Sequence, residues 1–315
     1  MEDLRTIPGP LTEHDLWFVT LVGLSLLPFW KPLRALADLS WNDDRYSHVL
    51  LIPLLSASFV CLRRKAIFAF PRYCASKGAT ALVAGIALFF VARSQFSNLD
   101  STDHLSLVML VIVLVWMAGF LLCYGTQSFR AALFPLLFLV MMAPIPTIAL
   151  DKIVVALQEG SAVMTYTLFK LLGVPVLWRH LDFSLPGVEI EIAKECSGIR
   201  SSFALFITST LAGQVFLQSN WRRLSFSLFT VPVVIFKNAV RIVTISCLGL
   251  YVDADFLHGK LHRYGGLPFS LISLGILLPL LFALQKSEIY PTTTRGRMMP
   301  GKARGAPTAA HIEIL

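Results

Sequence analysis

Long apolar runs are the feature that most constrains the fold of this chain. Several of them approach the roughly 20 residues that an α-helix needs to cross a bilayer. Within hydrocarbon the backbone has to satisfy its own hydrogen bonds, which favours helices. Apolar residues make up 56% of the 315 residues and charged residues only 15%, whereas about a quarter of the residues in a soluble domain are charged. The sequence therefore predicts an all-α polytopic membrane protein.

Hydropathy predicts eight transmembrane helices within a single membrane domain, residues 16–285. The predicted spans are 16–33, 47–63, 79–93, 105–124, 131–150, 199–218, 224–250 and 266–285. Residues 151–173 have a helical pattern interrupted by charges, and this helix either lies at the interface, enters the protein or forms a ninth span. Residues 1–15 are predicted to be a cytoplasmic N-terminus. Residues 286–315, rich in Pro, Gly, Thr and Arg, are predicted to be a disordered cytoplasmic tail.

The distribution of Lys and Arg predicts the orientation of these spans. With the N-terminus inside, the inner loops hold most basic residues, and the outer loop 94–104 has only Ser, Gln, Phe, Asn, Leu, Asp, Thr and His. Cytoplasmic loops are usually the basic ones, so both termini are expected inside. Lys31, Arg34 and Arg45 are exceptions on the outer side. The net charge of +8 suits anionic lipid headgroups, and no basic stripe with interleaved aromatic residues indicates nucleic-acid binding.

An alternating pattern around Pro186-Gly187 predicts a β-hairpin. Apolar residues occupy every second position from Leu181 to Ile192, on both sides of this turn dipeptide. Because a hairpin with open edges cannot lie in hydrocarbon, it is expected to cap the bundle on the outer side. Together with the preceding helix it forms an outer segment, residues 151–198, that leads into Cys196.

Cys196 is the first candidate for chemistry. The five cysteines have no paired spacing, so neither a disulfide framework nor a zinc site is indicated. Cys196 has polar neighbours and precedes a predicted helix start near Ile199, where unpaired N–H groups and the helix dipole favour a thiolate. Arg200 would add positive charge there. The alternative is an inert cysteine in the turn before a helix. The other cysteines, which lie in or near apolar runs, are Cys61, Cys74, Cys123 and Cys247.

Arg241 is the second candidate, because it lies inside the predicted span 224–250. At 1.5 Å per residue it sits about 25 Å along this span, towards the outer face. An arginine within a span is costly and marks a functional site by default. Lys237 lies one turn earlier on the same face, with Asn238 beside it. The alternatives are a structural ion pair with a glutamate, or snorkelling of the arginine to the headgroups.

Two histidines in the segment HGKLHRYGG form the third candidate. His258 and His262 are spaced i, i+4 in the last outer loop, and histidine exchanges protons near neutral pH. The alternative is a pair of solvated histidines, or a weak metal pair that lacks a third ligand. A cysteine and a histidine at one membrane face suit acyl transfer, and Arg241 could stabilise a developing oxyanion.

At these residues the chain resembles the exosortases, the bacterial relatives of the archaeosortases. The matching motifs are ECSGIRSS (195–202), NAVRI (238–242) and HRYGG (262–266). Three earlier segments also resemble the family: YSHVLLIPL, APIP and LQEGSA. The resemblance runs from about residue 40 to residue 285. It implies that Cys196 is a nucleophile, Arg241 its cationic partner and His262 the third member, with His258 as the alternative histidine.

The resemblance also implies an activity. It predicts a cysteine protease or transpeptidase of the inner membrane, with its site at the periplasmic face, that cleaves C-terminal Pro-Glu-Pro sorting signals of exported proteins through a thioester. We expect Arg200, Lys237, Asn238 and His258 to contact the substrate. No metal or organic cofactor is implied, and membrane lipid is expected as a further partner. The alternative is a transporter, or a scaffold component of exopolysaccharide export, with an anion site at Arg241 and Lys237.

Overall fold

The computed structural model describes residues 12–69, 71–95, 100–186, 188–194, 198–253 and 266–289. Within these ranges the chain is mostly helical and carries one small antiparallel sheet. The helices are α1 (Glu13–Asn42), α2 (Leu51–Leu62), α3 (Arg64–Ile67), α4 (Ala75–Gln95), α5 (Ser101–Ala131), α6 (Leu133–Phe138), α7 (Thr147–Leu171), α8 (Ile199–Phe216), α9 (Asn220–Tyr251) and α10 (Gly266–Ile289). Short 3₁₀-helices cover Asp44–Tyr46 and Leu139–Met142, and the strands are β1 (Leu177–Arg179), β2 (Asp182–Leu185) and β3 (Val188–Glu191).

In the described ranges, five helices are long and apolar enough to cross a membrane. They are α1, α4, α5, α9 and α10. A sixth candidate consists of α6 with its 3₁₀ extension followed by α7, which are bent by 92° at the break between them. At 12 residues α2 is short for a span, and the 18-residue α8 is not among the five. The structure shows a multi-pass membrane protein with five or six candidate spans, so eight spans stay a prediction.

The predicted span 131–150 is interrupted by prolines. Pro144 and Pro146 lack a backbone donor and disfavour helical geometry in the residue before them. Ala143 is accordingly extended, with φ −72° and ψ 126°. α7 then begins at Thr147, whose N–H and hydroxyl donate to the carboxylate of Asp103 at 2.6 and 2.7 Å. The start of α7 is therefore fixed beside the start of α5, and the helix predicted over 151–173 is confirmed.

One end of the bundle, which we call the basal end, joins the start of α1 to the turn between α8 and α9. The Tyr124 hydroxyl donates to Asp15 at 2.7 Å, and its ring packs on Phe68 with centroids 4.8 Å apart. The Arg63 guanidinium donates to the Gln214 carbonyl at 3.4 Å. In the adjoining turn, the Glu288 carboxylate of α10 accepts the N–H groups of Gln218 and Ser219, both at 2.9 Å.

At the opposite end, which we call the site end, α1 finishes and α5, α7 and α8 begin. The Ser40 hydroxyl donates to the Tyr46 carbonyl at 2.9 Å, which ties the end of α1 to the following 3₁₀-helix. The ring of His48 stacks on that of Phe203, on the second turn of α8. α1 lies at the edge of this arrangement, since only 6% of its most apolar stretch is buried, against 56% for α5.

The predicted hairpin is confirmed, and a third strand extends it. β2 and β3 pair antiparallel, with Phe183 opposite Ile190, and β1 pairs with the other edge of β2. β1 was not predicted, because three residues are too few to show a period-two pattern. Phe183 is 1% exposed and belongs to a cluster with Phe169 of α7 and Val243 of α9. The sheet therefore covers the C-terminal halves of α7 and α9.

Candidate active site

α8 begins at a glycine with a left-handed backbone. Gly198 is its N-cap residue, with φ +73° and ψ 14°, a conformation that glycine adopts at little cost and other residues rarely adopt. The Gly198 carbonyl accepts hydrogen bonds from the hydroxyls of Ser201, at 2.9 Å, and Ser202, at 2.8 Å. The chain thus makes a fixed turn directly after residues 195–197, which lie outside the described ranges.

This turn packs against Asn238 of α9. A Cβ atom at Gly198 would lie 3.4 Å from Oδ1 of Asn238, at ordinary van der Waals distance, so the turn and Asn238 are direct neighbours. Asn238 is fully buried, and its Nδ2 donates to the Ser161 hydroxyl of α7 at 3.0 Å. Asn238 is therefore the point at which α7, α8 and α9 meet.

Lys237 links α9 to α8 one position earlier. Its side chain is only 2% exposed, and its ammonium donates to the Ser201 hydroxyl at 2.5 Å. A buried ammonium is unfavourable unless it is hydrogen-bonded or paired. Arg241 is half-buried and lies one helical turn further along the same side of α9. Two cationic residues of α9 are therefore grouped beside the start of α8.

The chain between β3 and α8 is held by α7. Gln158 is buried, and its Nε2 donates to the Ile192 carbonyl at 2.7 Å, one residue after β3. Lys194 then approaches Asp151 with an N–O distance of 3.8 Å; this ion pair is exposed and contributes little stability. Residues 195–197 consequently lie between two fixed points of the structure, Ile192 and Gly198.

A family model described as a transmembrane exosortase matches residues 40–279, about three quarters of the chain. This chain belongs to the transmembrane exosortase family. Comparison with curated proteins and with solved structures gave no match. The matched range of this exosortase contains the Cys196, Arg241 and His262 motifs, together with the α7–α8–α9 junction around Asn238.

The structure of the exosortase brings together part of the predicted site. Lys237, Asn238 and Arg241 are grouped at the start of α8, and Arg200 lies exposed on its first turn. Lys237 and Asn238 are buried and bonded to serines of neighbouring helices, so they are placed to hold α8. The remaining predicted residues, Cys196, His258 and His262, lie outside the described ranges, and their roles stay predictions.

Two polar residues of α7 belong to the site but were not selected from the sequence. Gln158 holds the end of the sheet and Ser161 holds Asn238, through the two hydrogen bonds given above. Their spacing of three places them on one face of α7, within the LQEGSA segment that resembles the family. Polar residues on one face of a largely apolar helix were the signal that could have identified them.

His48 also lies beside α8 and was not selected as a site residue. It occupies the turn between α1 and α2, outside the candidate spans, and its ring centroid lies 5.4 Å from that of Phe203. Burial lowers the pKa of His48 below its usual 6.5, against a smaller opposing contribution from a hydrogen bond with the Arg45 backbone. The structure thus adds a half-buried histidine with a low pKa to the site end.

The described residues contain no group of three His, Cys, Asp or Glu side chains that could share a metal ion. The four described cysteines are free thiols. They range from exposed to buried and are Cys61, Cys74, Cys123 and Cys247.

Proposed function

We propose that this exosortase is a membrane cysteine protease or transpeptidase. Its substrates would be exported proteins with a C-terminal sorting signal of the Pro-Glu-Pro type, cleaved at the periplasmic face of the inner membrane. The contact of Gly198 with Asn238 is the observation that carries this proposal. It holds the start of α8 against the stretch of α9 that ends at Arg241.

Chain connectivity supports a meeting of Cys196 with Arg241. Consecutive Cα atoms are 3.8 Å apart, so Cys196 can be at most about 7.6 Å from Gly198. Arg241 lies three residues after Asn238, a rise of about 4.5 Å along α9, and its guanidinium reaches several ångströms further. The two side chains are thus within reach of each other if the turn directs Cys196 towards α9.

The proposed reaction has two steps. The Cys196 thiolate attacks the scissile carbonyl carbon, and Arg241 stabilises the thiolate or the negative charge that develops on the carbonyl oxygen. As the C–N bond breaks, the protonated His262 gives its proton to the leaving amine, and an acyl thioester with Cys196 remains. Water, or the nucleophilic group of an acceptor, then loses a proton to His262 and attacks the thioester, which releases the Cys196 thiolate and the new C-terminus and leaves His262 protonated for the next cycle.

The other predicted residues have different places in this proposal. Arg200 is exposed at the start of α8, where it could contact a substrate carboxylate, and His258 is proposed as a second substrate contact. Lys237 and Asn238 line the site from the side of α9. Because they are almost fully buried, they are better suited to holding the start of α8 than to reaching a substrate from solvent.

We further propose that the basal end faces the cytoplasm and that residues 16–285 form one membrane domain. The positive-inside rule supports this orientation. Arg241 lies about 27 Å along α9 from Arg223, close to the far boundary of a hydrocarbon layer of about 30 Å. The basic residues of the basal end are Arg63, Arg64, Lys65, Arg72, Lys77, Arg130, Arg222, Arg223 and Lys286.

Processing of a co-expressed precursor tests the activity. Cys196→Ser and Cys196→Ala should leave the precursor uncleaved while the protein still inserts into the membrane. Cys247→Ser, which changes a half-buried cysteine of α9, is the matched control and should process normally. Normal processing by both Cys196 variants would reject the proposal and favour the transporter or scaffold alternative, which gives this thiol no role.

Thiol labelling of intact spheroplasts tests the location of the site. A maleimide that cannot cross the membrane should modify Cys196. It should not modify Cys61, which is exposed at the end of α2 nearest the basal end. Labelling of Cys61 but not Cys196 would reverse the proposed orientation.

A further inference from the structure

A groove separate from the proposed active site runs along the site end, between α1, α4 and α5. It has a volume of about 630 Å³. Its apolar wall includes the half-buried Leu39 of α1 and Leu105 of α5, together with the buried Phe89 of α4 and Val108 of α5. One side of the groove is formed by α1, which has the least buried apolar stretch of the five candidate spans in the described ranges. In a membrane we therefore expect lipid to reach the groove from the side of α1.

The polar part of the groove has an excess of nitrogen donors. Lys31, Arg93 and His104 line it together with a single carboxylate, Asp38. Lys31 and Arg93 are exposed, and neither forms an ion pair within the described part of the chain. The Nε2 atom of His104 is buried and has no hydrogen-bond partner there. This combination favours an anionic ligand that can bridge several donors.

The two cations lie at the depth of a lipid phosphate. Lys31 is about 27 Å along α1 from Glu13, and Arg93 is about 24 Å along α4 from Lys77. Both helices begin at the basal end, and the hydrocarbon layer of a bilayer is about 30 Å thick. Each side chain can therefore extend to the headgroup layer at the site end.

We propose that this groove is a binding site for a phospholipid with a net negative headgroup. The phosphate would lie between Lys31, Arg93 and His104, and an acyl chain would run along Leu39 and Leu105. An inorganic phosphate ion would use the donors and leave the apolar wall exposed. A zwitterionic lipid would carry its own cation into a site that already holds two.

A bound lipid would join the exposed helix α1 to α4 and α5. The end of α1 is tied to Tyr46 by Ser40, and the following turn places His48 on Phe203 of α8. We therefore expect the lipid to raise the melting temperature of the whole bundle. This effect does not depend on the proposed protease activity.

The test uses the full-length protein in nanodiscs of equal amounts of phosphatidylglycerol and phosphatidylcholine. Lipids that stay bound after transfer to detergent are counted by native mass spectrometry. Wild type should retain phosphatidylglycerol preferentially. The double variant Lys31→Gln/Arg93→Gln should lower this preference about 25-fold, since a basic residue near a membrane surface is worth about fivefold in binding.

The matched control removes two other exposed cations of the same end that do not line the groove, Arg34→Gln/Lys152→Gln. It should keep the wild-type preference, and both double variants should melt like wild type in lipid-free detergent. Equal retention of the two lipids by wild type overturns the proposal, as does an equal loss in the control. Displacement of the lipid by about 10 mM inorganic phosphate would also overturn it, because it would show a site for a small anion.

Discussion

The ammonium of Lys237 on α9 donates a hydrogen bond to the hydroxyl of Ser201 on α8; the lysine is buried and the serine is half-buried. Ser201 also donates to the Gly198 carbonyl. The serine thereby connects the buried lysine to the turn that precedes α8. This connection holds Gly198, the first described residue after Cys196 in the chain.

We predict a coupling energy between Lys237 and Ser201. Ser201→Ala leaves a buried ammonium without its hydroxyl partner and should lower the free energy of unfolding by about 1–3 kcal/mol. Lys237→Met/Ser201→Ala should be less destabilised than the sum of the single variants. Denaturation in detergent measures the free energy of unfolding of wild type, the two single variants and the double variant. Ser58→Ala, which removes an exposed hydroxyl bonded within α2, is the control, and strict additivity of the pair would contradict the prediction.

Gly198→Ala should abolish precursor processing. A side chain at φ +73° costs about 1–2 kcal/mol, and relief of this strain would shift the turn that begins α8 beside Asn238. Gly173→Ala is a close control, because Gly173 has φ +69° and nothing within 4 Å of its Cβ position. Both variants should lose similar stability, but only Gly198→Ala should lose processing. Loss of processing in both would show that lost stability, and not the position of this turn, is responsible.

Arg241→Gln should reduce the rate of precursor cleavage by about 10²–10³, the usual effect of removing one oxyanion donor. Arg241→Lys keeps the charge but loses the planar fork of donors, so it should recover only part of the rate. A pulse-chase gel of the precursor measures both rates. Arg130→Gln, at the exposed basal end of α5, should cleave at the wild-type rate. Full activity of Arg241→Gln would remove this arginine from the proposed mechanism.

The two histidines of the last loop should behave differently. His262→Gln should leave the precursor uncleaved, because the leaving amine then lacks a proton donor. His258→Gln should still cleave the precursor, but it should need a higher precursor concentration to reach the same rate. Quantitative processing at several precursor levels separates the two effects. The reverse result would make His258 the proton donor.

Stability should fall in mildly acidic solution because of His48. Its pKa in the folded protein lies below the usual 6.5, so the unfolded chain binds the proton more strongly. The stabilisation is complete above about pH 6.5 and is lost as the pH falls through the folded pKa. Between pH 7.5 and 5.5 the melting temperature of wild type should therefore drop more than that of His48→Gln. An equal drop would assign the pH dependence to other groups.

The parts of the structure that the sequence predicted depend on local pattern. Hydropathy located α1, α4, α5, α9 and α10, because each helix satisfies its hydrogen bonds within one segment. Most of the predicted helix ends lie within a few residues of the observed ones, but α1 and α5 continue further at their C-terminal ends. The hairpin followed from alternation around Pro186-Gly187. The interruption at 143–146 was missed although its cause, Pro144 and Pro146, stands in the sequence, because hydropathy averages over such breaks.

By itself, the sequence determined that the chain crosses a membrane several times, that a hairpin precedes α8, and which motifs carry the family resemblance. Only the tertiary structure decided that Lys237 and Asn238 bond to Ser201 and Ser161, and that Lys31, Arg93 and His104 share a groove. The physical reason is distance along the chain. Residues 161, 201 and 238 become neighbours through the packing of three helices, and no local pattern encodes which faces of those helices meet.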